Sequence, residues 1–175
     1  RWARLIGEKN ANEKETLFHP HLRDGQPGDK HIRKSLGRQL GGSPASTQAI
    51  IQEASGAPAL ARHSFRTLDR QWIIHDGRVI NQPNPTLWDG HSERQVYLTA
   101  PEDRTPTGGP ALSICGLVPD VHHYHGRGGR VYPLWRTADA SIPNIKPALL
   151  AHLSKAYGTR VSPEDVMAYI AAVLA

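Results

Sequence analysis

Two arginines, an aspartate and a tryptophan are crowded into residues 66–72, which read Arg-Thr-Leu-Asp-Arg-Gln-Trp. The planar guanidinium of arginine can donate two parallel hydrogen bonds to a phosphate or to the edge of a guanine, and a neighbouring carboxylate can hold it in place. Arg66 and Arg70 are therefore candidate binding residues. The alternative is purely structural, with Asp69 paired to either arginine to pin a hairpin and Trp72 in the core. The sequence favours neither.

Three side-chain amides lie on a stretch that two prolines stiffen. Asn81, Gln82 and Asn84 surround Pro83 and precede Pro85. A carboxamide can donate to and accept from the edge of an adenine at the same time, so these three residues are candidate base-reading groups. Amides in loops more often bond to their own backbone, which is the competing interpretation.

A glycine-rich segment carries two further arginines. Arg127 and Arg130 flank Gly128 and Gly129, and small residues allow the backbone to approach a phosphate closely. A plain flexible hairpin explains the same composition equally well.

Residues 120–125, with the sequence Asp-Val-His-His-Tyr-His, are the segment richest in potential metal ligands. Asn144 and His152 follow at separations that loosely resemble a His-Asn-His nuclease, in which a histidine activates water and a metal stabilises charge on the phosphate. Prolines bracket Asn144, however, and His152 falls in an ordinary amphipathic pattern. We therefore expect a polar loop in which His123 touches DNA, and we keep a metal-dependent nuclease as the alternative.

The sequence lacks the motifs of nucleotide hydrolysis and of methyl transfer. It contains no Gly-x-x-x-x-Gly-Lys-Ser/Thr loop for a nucleotide phosphate and no glycine-rich turn suited to S-adenosylmethionine. The run that begins at Asn84 reads Asn-Pro-Thr-Leu, which departs from the Asn-Pro-Pro-Tyr of adenine methyltransferases. We expect no catalysis by this chain itself and no cofactor bound to it.

Composition narrows the class of protein. The 175 residues carry a formal charge of +5, which favours a polyanionic partner such as nucleic acid or simply keeps the domain soluble. With 16 glycines and 14 prolines, a mixed fold with many loops is expected. The single cysteine, Cys115, excludes a disulfide framework and favours the cytoplasm. The sequence contains no export leader and no long apolar run, so neither export nor membrane insertion is expected.

Local patterns predict the elements that must position these residues. They predict a mixed α/β (α+β) fold with an antiparallel-rich sheet and a hairpin between Trp72 and Ile80, turning at Asp76-Gly77. Short helices are expected at residues 10–18 and 46–54, and further strands at residues 95–100, 111–118 and 130–135. Two helices close the sequence, one ending at Gly158 and one capped by Ser162.

At several ordered blocks the sequence resembles the C-terminal specificity domain of type ISP restriction-modification enzymes. The blocks are residues 64–74, 78–88, 91–99, 117–124 and 165–173. The family usually has Arg-Ser/Pro-Phe-Asp-Arg where this chain has Arg-Thr-Leu-Asp-Arg at residues 66–70. Residues 1–60 match only loosely and are expected to be partly helical. Residues 61–175 are expected to be part of a specificity domain that is cut short at its C-terminus.

The resemblance implies a parent polypeptide with nuclease, ATP-driven translocase and adenine-N6 methyltransferase parts, which use S-adenosylmethionine, ATP and Mg²⁺. In that enzyme this segment would recognise the target in double-stranded DNA. The resemblance does not indicate which residues contact bases. A second alternative is a structural brace for the methyltransferase core that does not touch DNA.

Overall fold

The computed structural model describes residues 1–18, 32–102, 107–124 and 128–174, and the chain divides into two units. Unit 1 comprises Arg1–Ala61 and Trp72–Trp88, and unit 2 comprises Arg62–Gln71 and Asp89–Ala175. No helix in the described part of the chain is long and apolar enough to cross a membrane.

Unit 1 begins with two short helices, α1 (Trp2–Gly7) and α2 (Ala11–Leu17). The side chain of Asn10 accepts hydrogen bonds from the backbone N–H groups of Asn12 and Glu13, which satisfies donors that the first turn of α2 leaves open. The helix expected at residues 10–18 is thus confirmed. Farther on, a single 3₁₀ turn at Ile50–Gln52 replaces the longer helix expected at residues 46–54.

Among the described residues of unit 1, one apolar core cluster includes the buried side chains of Leu5, Ile6, Ile32 and Ile50. The buried ammonium of Lys14 lies beside this core and donates to the carbonyls of Ile6, Ile51 and Glu53, so its charge is matched by backbone oxygen atoms.

Two strands, β1 (Leu60–Arg66) and β2 (Asp69–Ile74), form a hairpin whose connecting residues are Thr67 and Leu68. The strand expected at residues 71–74 is confirmed. The expected hairpin between Trp72 and Ile80 is wrong in position, because β2 pairs with the strand before it and ends at Ile74.

The buried ion pair of Asp76 and Arg78 explains why residues 75–80 do not return as a strand. Asp76 Oδ1 accepts from both the backbone N and the Nε of Arg78 at 2.9 Å, and Gln39 Nε2 donates to the same oxygen at 2.8 Å. Arg78 also donates to the carbonyl of Gln48 at 2.7 Å and to the carboxylate of Glu53. These bonds turn the backbone locally, which prevents the extended conformation that a strand needs.

Unit 2 is built on a three-stranded antiparallel sheet with the order β4-β3-β5. The central strand, β3 (Tyr97–Ala100), lies between β4 (Ser113–Cys115) and β5 (Arg130–Pro133). Leu98 of β3 is opposite Ile114 on one side and Tyr132 on the other. The three expected strands are confirmed, although each is shorter than its sequence pattern.

The core of unit 2 contains both sheet and helix residues. Its buried members are Leu98, Leu112, Leu134, Trp135, Ala140, Met167 and Ala171. The buried amide of Gln95 donates to the carbonyls of Gly90 and Trp135 and accepts from the backbone N–H of Trp135. This side chain joins three backbone groups that would otherwise be unsatisfied beside the core.

Three helices complete the fold: α3 (Pro85–Asp89), α4 (Pro147–Tyr157) and α5 (Pro163–Leu174). Helix α4 ends at Gly158, which has the left-handed conformation with φ of +67°. Ser162 and Asp165 cap α5 reciprocally, since Ser162 Oγ accepts from Asp165 N at 3.1 Å and Asp165 Oδ2 accepts from Ser162 N at 2.8 Å. The two expected C-terminal helices and the mixed α/β class are confirmed.

Gly129 is expected to be intolerant of any side chain, because a Cβ atom there would lie 2.6 Å from the carbonyl oxygen of Ala100. That oxygen belongs to the β3 residue paired with Arg130, so it cannot move without disturbing the sheet. Gly129→Ala should therefore lower the free energy of unfolding by about 1–3 kcal/mol. Denaturant unfolding measures the change. Gly108→Ala is the matched control, since nothing lies within 4 Å of its Cβ position; equal stability of the two variants would contradict the expectation.

Candidate functional site

In unit 2, the hairpin is attached to the loop formed by residues 118–124. Ser64 N donates to the carbonyl of Val118 at 3.1 Å, and Asp120 N donates to the carbonyl of Ser64 at 2.9 Å. Near the turn, Thr67 N donates to the carbonyl of His123 at 3.1 Å. We call residues 66–70 the hairpin tip. These three bonds fix the direction in which the tip projects from the loop.

The carboxylate of Asp120 links the loop to the side chains of β1. Its Oδ1 lies 3.3 Å from Arg66 Nη1 and accepts from the backbone N–H of His122 at 2.8 Å, while its Oδ2 lies 3.8 Å from His63 Nε2. The guanidinium of Arg66 also lies over the ring of Phe65, 3.9 Å from its centre. Arg66 is therefore oriented before any ligand arrives, and Asp120 rather than Asp69 is its carboxylate partner.

This environment also shifts the ionisation of Asp120. Burial alone would raise its pKa, but the nearby imidazole of His63, the hydrogen bond from the backbone of His122 and the charge of Arg66 lower it. The net result is a pKa below the ordinary value for an aspartate. The carboxylate therefore keeps its negative charge over a wider acid range than an exposed aspartate does.

His123 lies inside unit 2, with only 2% of its surface exposed. Its Nδ1 is 2.9 Å from the hydroxyl of Thr99, so its ring packs toward the central strand of the sheet. Burial and the charge of His63 lower its pKa, which favours the neutral ring. This placement argues against the expected direct contact between His123 and DNA. The residue acts through its backbone, which accepts the bond from Thr67.

The other candidate arginine of the hairpin tip is exposed. Arg70 lies on the surface and has no ion pair with any described residue, and Asp69 accepts a hydrogen bond from Gln71 Nε2 at 2.9 Å. Trp72, expected in the core if the segment were purely structural, is 64% exposed. The structure therefore does not support a hairpin pinned by an Asp69 ion pair above a buried tryptophan.

Sequence reasoning overlooked Leu68. The residue is 98% exposed and has a φ of +68°, in the left-handed region that glycine and asparagine ordinarily occupy. The signal available in the sequence is an apolar residue between a threonine and an aspartate, where a two-residue turn is usually polar.

The glycine-rich segment is described only in part. Arg127 lies outside the described residues. Arg130 opens β5 and is exposed, with its Nη2 3.6 Å from Glu102 Oε1. Both side chains of this pair are open to solvent, so water and salt screen it and a phosphate can displace the carboxylate at little cost.

The three candidate amides lie in unit 1. Asn81, Gln82 and Asn84 are all exposed, and Gln82 has a left-handed φ of +45°. Their side-chain amides make no hydrogen bond to any described residue, although the backbone carbonyl of Asn84 accepts from Leu87 N at 3.2 Å. The competing interpretation, in which these amides satisfy their own backbone, is not supported within the described part of the chain.

Within the described residues, the side chains of the alternative nuclease site form no metal-binding group. Asn144 Oδ1 accepts from Arg136 Nε at 3.1 Å, and His152 is exposed on α4. Across residues 1–18, 32–102, 107–124 and 128–174, no three histidine, cysteine, aspartate or glutamate side chains form a group that could hold a metal ion.

These features describe a mixed α/β chain that exposes arginines near strand ends and amides in the loop of residues 81–84. The family model of the type ISP C-terminal specificity domain matches residues 1–175, and the chain belongs to this family. The resemblance drawn from the sequence is thereby confirmed. The match includes residues 1–60, which resemble the family only loosely in sequence. The predicted division between residues 1–60 and 61–175 stays a prediction. No curated protein and no solved structure shows significant similarity to the chain.

Asp120→Asn should weaken the attachment of the hairpin and lower the free energy of unfolding by about 1–2 kcal/mol at neutral pH. Because the pKa of Asp120 is lowered in the folded chain, its contribution is present above the ordinary aspartate pKa and is lost as the pH falls through the lowered one. The difference between the variant and the unaltered chain should therefore shrink in acid.

Urea unfolding across an acid-to-neutral pH series measures this dependence. Asp69→Asn is the matched control, since Asp69 lies on the same hairpin but its carboxylate bonds, among the described residues, only to Gln71. The interpretation of Asp120 would be wrong if both variants had the same stability at neutral pH, or if the effect of Asp120→Asn grew in acid.

Proposed function

We propose that this chain binds double-stranded DNA and recognises the target sequence of a type ISP restriction-modification enzyme. Membership of the specificity-domain family is the observation that carries the proposal, because that family provides target recognition within a multidomain polypeptide. The parent's nuclease, translocase and adenine methyltransferase activities then belong to other parts of the polypeptide. S-adenosylmethionine, ATP and Mg²⁺ would bind there, and the enzyme would work in the cytoplasm.

The charge of the chain supports a polyanionic partner. A formal charge of +5 and a sequence pI of about 9.6 give a favourable long-range attraction to DNA. In unit 2, Arg70 and Arg130 are exposed, and Arg66 is oriented by Asp120. Arginines of this kind are suited to phosphate oxygen atoms, which set the position of a protein on the duplex without reading its sequence.

The amides of unit 1 are suited to reading the base sequence. Asn81, Gln82 and Asn84 are exposed and lie next to prolines that restrict the backbone. An exposed amide whose hydrogen bonds are not already made within the chain can bond to N6 and N7 of an adenine in the major groove. We therefore assign sequence reading to the amides and positioning to the arginines.

Binding of the purified chain to duplex DNA should weaken as salt rises, because each neutralised phosphate releases condensed counterions. The logarithm of the binding constant should fall linearly with the logarithm of salt concentration, with a slope of about −0.9 for each neutralised phosphate. Fluorescence anisotropy of one labelled duplex at several salt concentrations measures the slope. A chain with no salt-dependent affinity would instead fit the structural brace for the methyltransferase core.

Changes to the two groups of residues should have different consequences. Arg70→Ala or Arg130→Ala should weaken binding to all sequences alike and make the salt slope less steep by about 0.9 for each phosphate that is no longer neutralised. Changes of Asn81, Gln82 or Asn84 to Ala should instead reduce the preference for the target by roughly 1–3 kcal/mol per base pair read, with little effect on non-specific affinity.

Competition between target and single-mismatch duplexes at fixed salt separates the two effects in the polypeptide that carries this domain. Arg160→Ala serves as the control, because Arg160 is exposed in unit 2 but lies outside the candidate set. If the amide variants left the target preference intact while the arginine variants abolished it, the two roles would be assigned the wrong way round.

A further inference from the structure

The turn of the β1–β2 hairpin presents an apolar side chain where turn chemistry does not call for one. Leu68 is the second of two connecting residues and has a φ of +68°. A turn with positive φ at this position ordinarily takes glycine or asparagine, because a Cβ atom there crowds the backbone. The side chain gains no burial in return, since 98% of the residue is exposed. Neither turn geometry nor core packing explains a leucine at this site.

The turn is nevertheless held firmly. The backbone N–H and the hydroxyl of Thr67 both donate to the carbonyl of His123, at 3.1 and 3.3 Å. One residue earlier, Arg66 is bound by Asp120 on the same loop. Leu68 therefore projects from a supported base, so binding to a partner would cost little additional ordering of this segment.

Two arginines lie within two residues of the exposed leucine, with Asp69 directly beside it and Arg66 paired with Asp120. Arg66 precedes it by two residues and Arg70 follows it by two, and both lie on the strands that meet at the turn. A partner complementary to this turn has an apolar slot for the leucine and negative charge on both sides of it for the arginines. Stacked base pairs between two phosphate strands have this arrangement, and proteins insert leucine and similar side chains between base steps to unstack them and bend the duplex.

We propose that Leu68 inserts between two stacked base pairs of the target DNA, with Arg66 and Arg70 on the flanking phosphates. The inference rests on the proposed DNA binding but adds a distinct mode of reading. A leucine makes no hydrogen bond to a base, so it selects sequence through the ease of unstacking. Flexible pyrimidine–purine steps are therefore favoured at the position where it enters.

The test uses the polypeptide that carries this domain and duplexes that it selects from a random library. The fluorescent base 2-aminopurine replaces adenine at one position at a time, because its emission rises when stacking is disrupted. The unaltered protein should give a several-fold rise at one step of the target. Leu68→Gly should abolish the rise and weaken target binding by about tenfold, while binding to unselected duplexes stays within about twofold.

Glycine accepts the backbone conformation of residue 68, so this variant keeps the fold. Leu68→Ala and Leu60→Ala form a matched pair, since Leu60 is also exposed but opens β1, away from the turn. Leu68→Ala should abolish the fluorescence change and Leu60→Ala should keep it.

Four results would overturn the insertion. If the unaltered protein bound its target without a fluorescence rise at any position, or if Leu68→Gly retained the rise, Leu68 would not enter the stack although DNA binding would stand. If Leu68→Gly left both DNA readouts unchanged but lowered the melting temperature of the whole polypeptide, Leu68 would contact another protein surface. Absence of any DNA binding by the unaltered protein would reject the proposed function together with the inference.

Discussion

The carboxylate of Asp120 is the constraint on which the candidate site depends. It is partly buried and holds Arg66 and the backbone of His122 by hydrogen bonds, with His63 nearby, so one negative charge organises residues that are distant in sequence. Without this carboxylate, the flexible side chain of Arg66 would lose its ion-pair partner. By orienting Arg66 and leaving Arg70 exposed, the structure separates an arginine that is fixed in advance from one that can adapt.

Elements defined by short-range patterns could be predicted from the sequence. The proline, serine and acidic residues at the start of α5 and the glycine after α4 specify helix ends through local geometry alone. The hairpin could not be placed correctly, because Asp76-Gly77 has the composition of a tight turn. Its actual conformation depends on Gln39 and Glu53, which reach this segment only in the folded unit. Long-range hydrogen bonds therefore overrode a strong local signal.

The candidate site shows the same limit. Sequence composition identified arginines and amides that the structure exposes, because strongly polar side chains in loops rarely lie inside a protein. It could not show that His123 is the residue of the histidine-rich segment that lies buried beside Thr99. The burial of His123 follows from the hydroxyl of Thr99, on a strand more than twenty residues away. The sequence also did not predict the exposure of Leu68, since an apolar residue is first assigned to the core.

The attachment of the hairpin tip to the loop of residues 118–124 has a consequence for the exchange of specificity between related enzymes. A recombination event that replaced only residues 62–71 would transfer Arg66, Leu68 and Arg70 as one cassette. It would leave behind Asp120 and the carbonyl of His123, which hold that cassette in position. A chimaera that keeps the proposed DNA-binding tip in position therefore has to inherit both segments together, which restricts the boundaries at which domains of this family can be recombined.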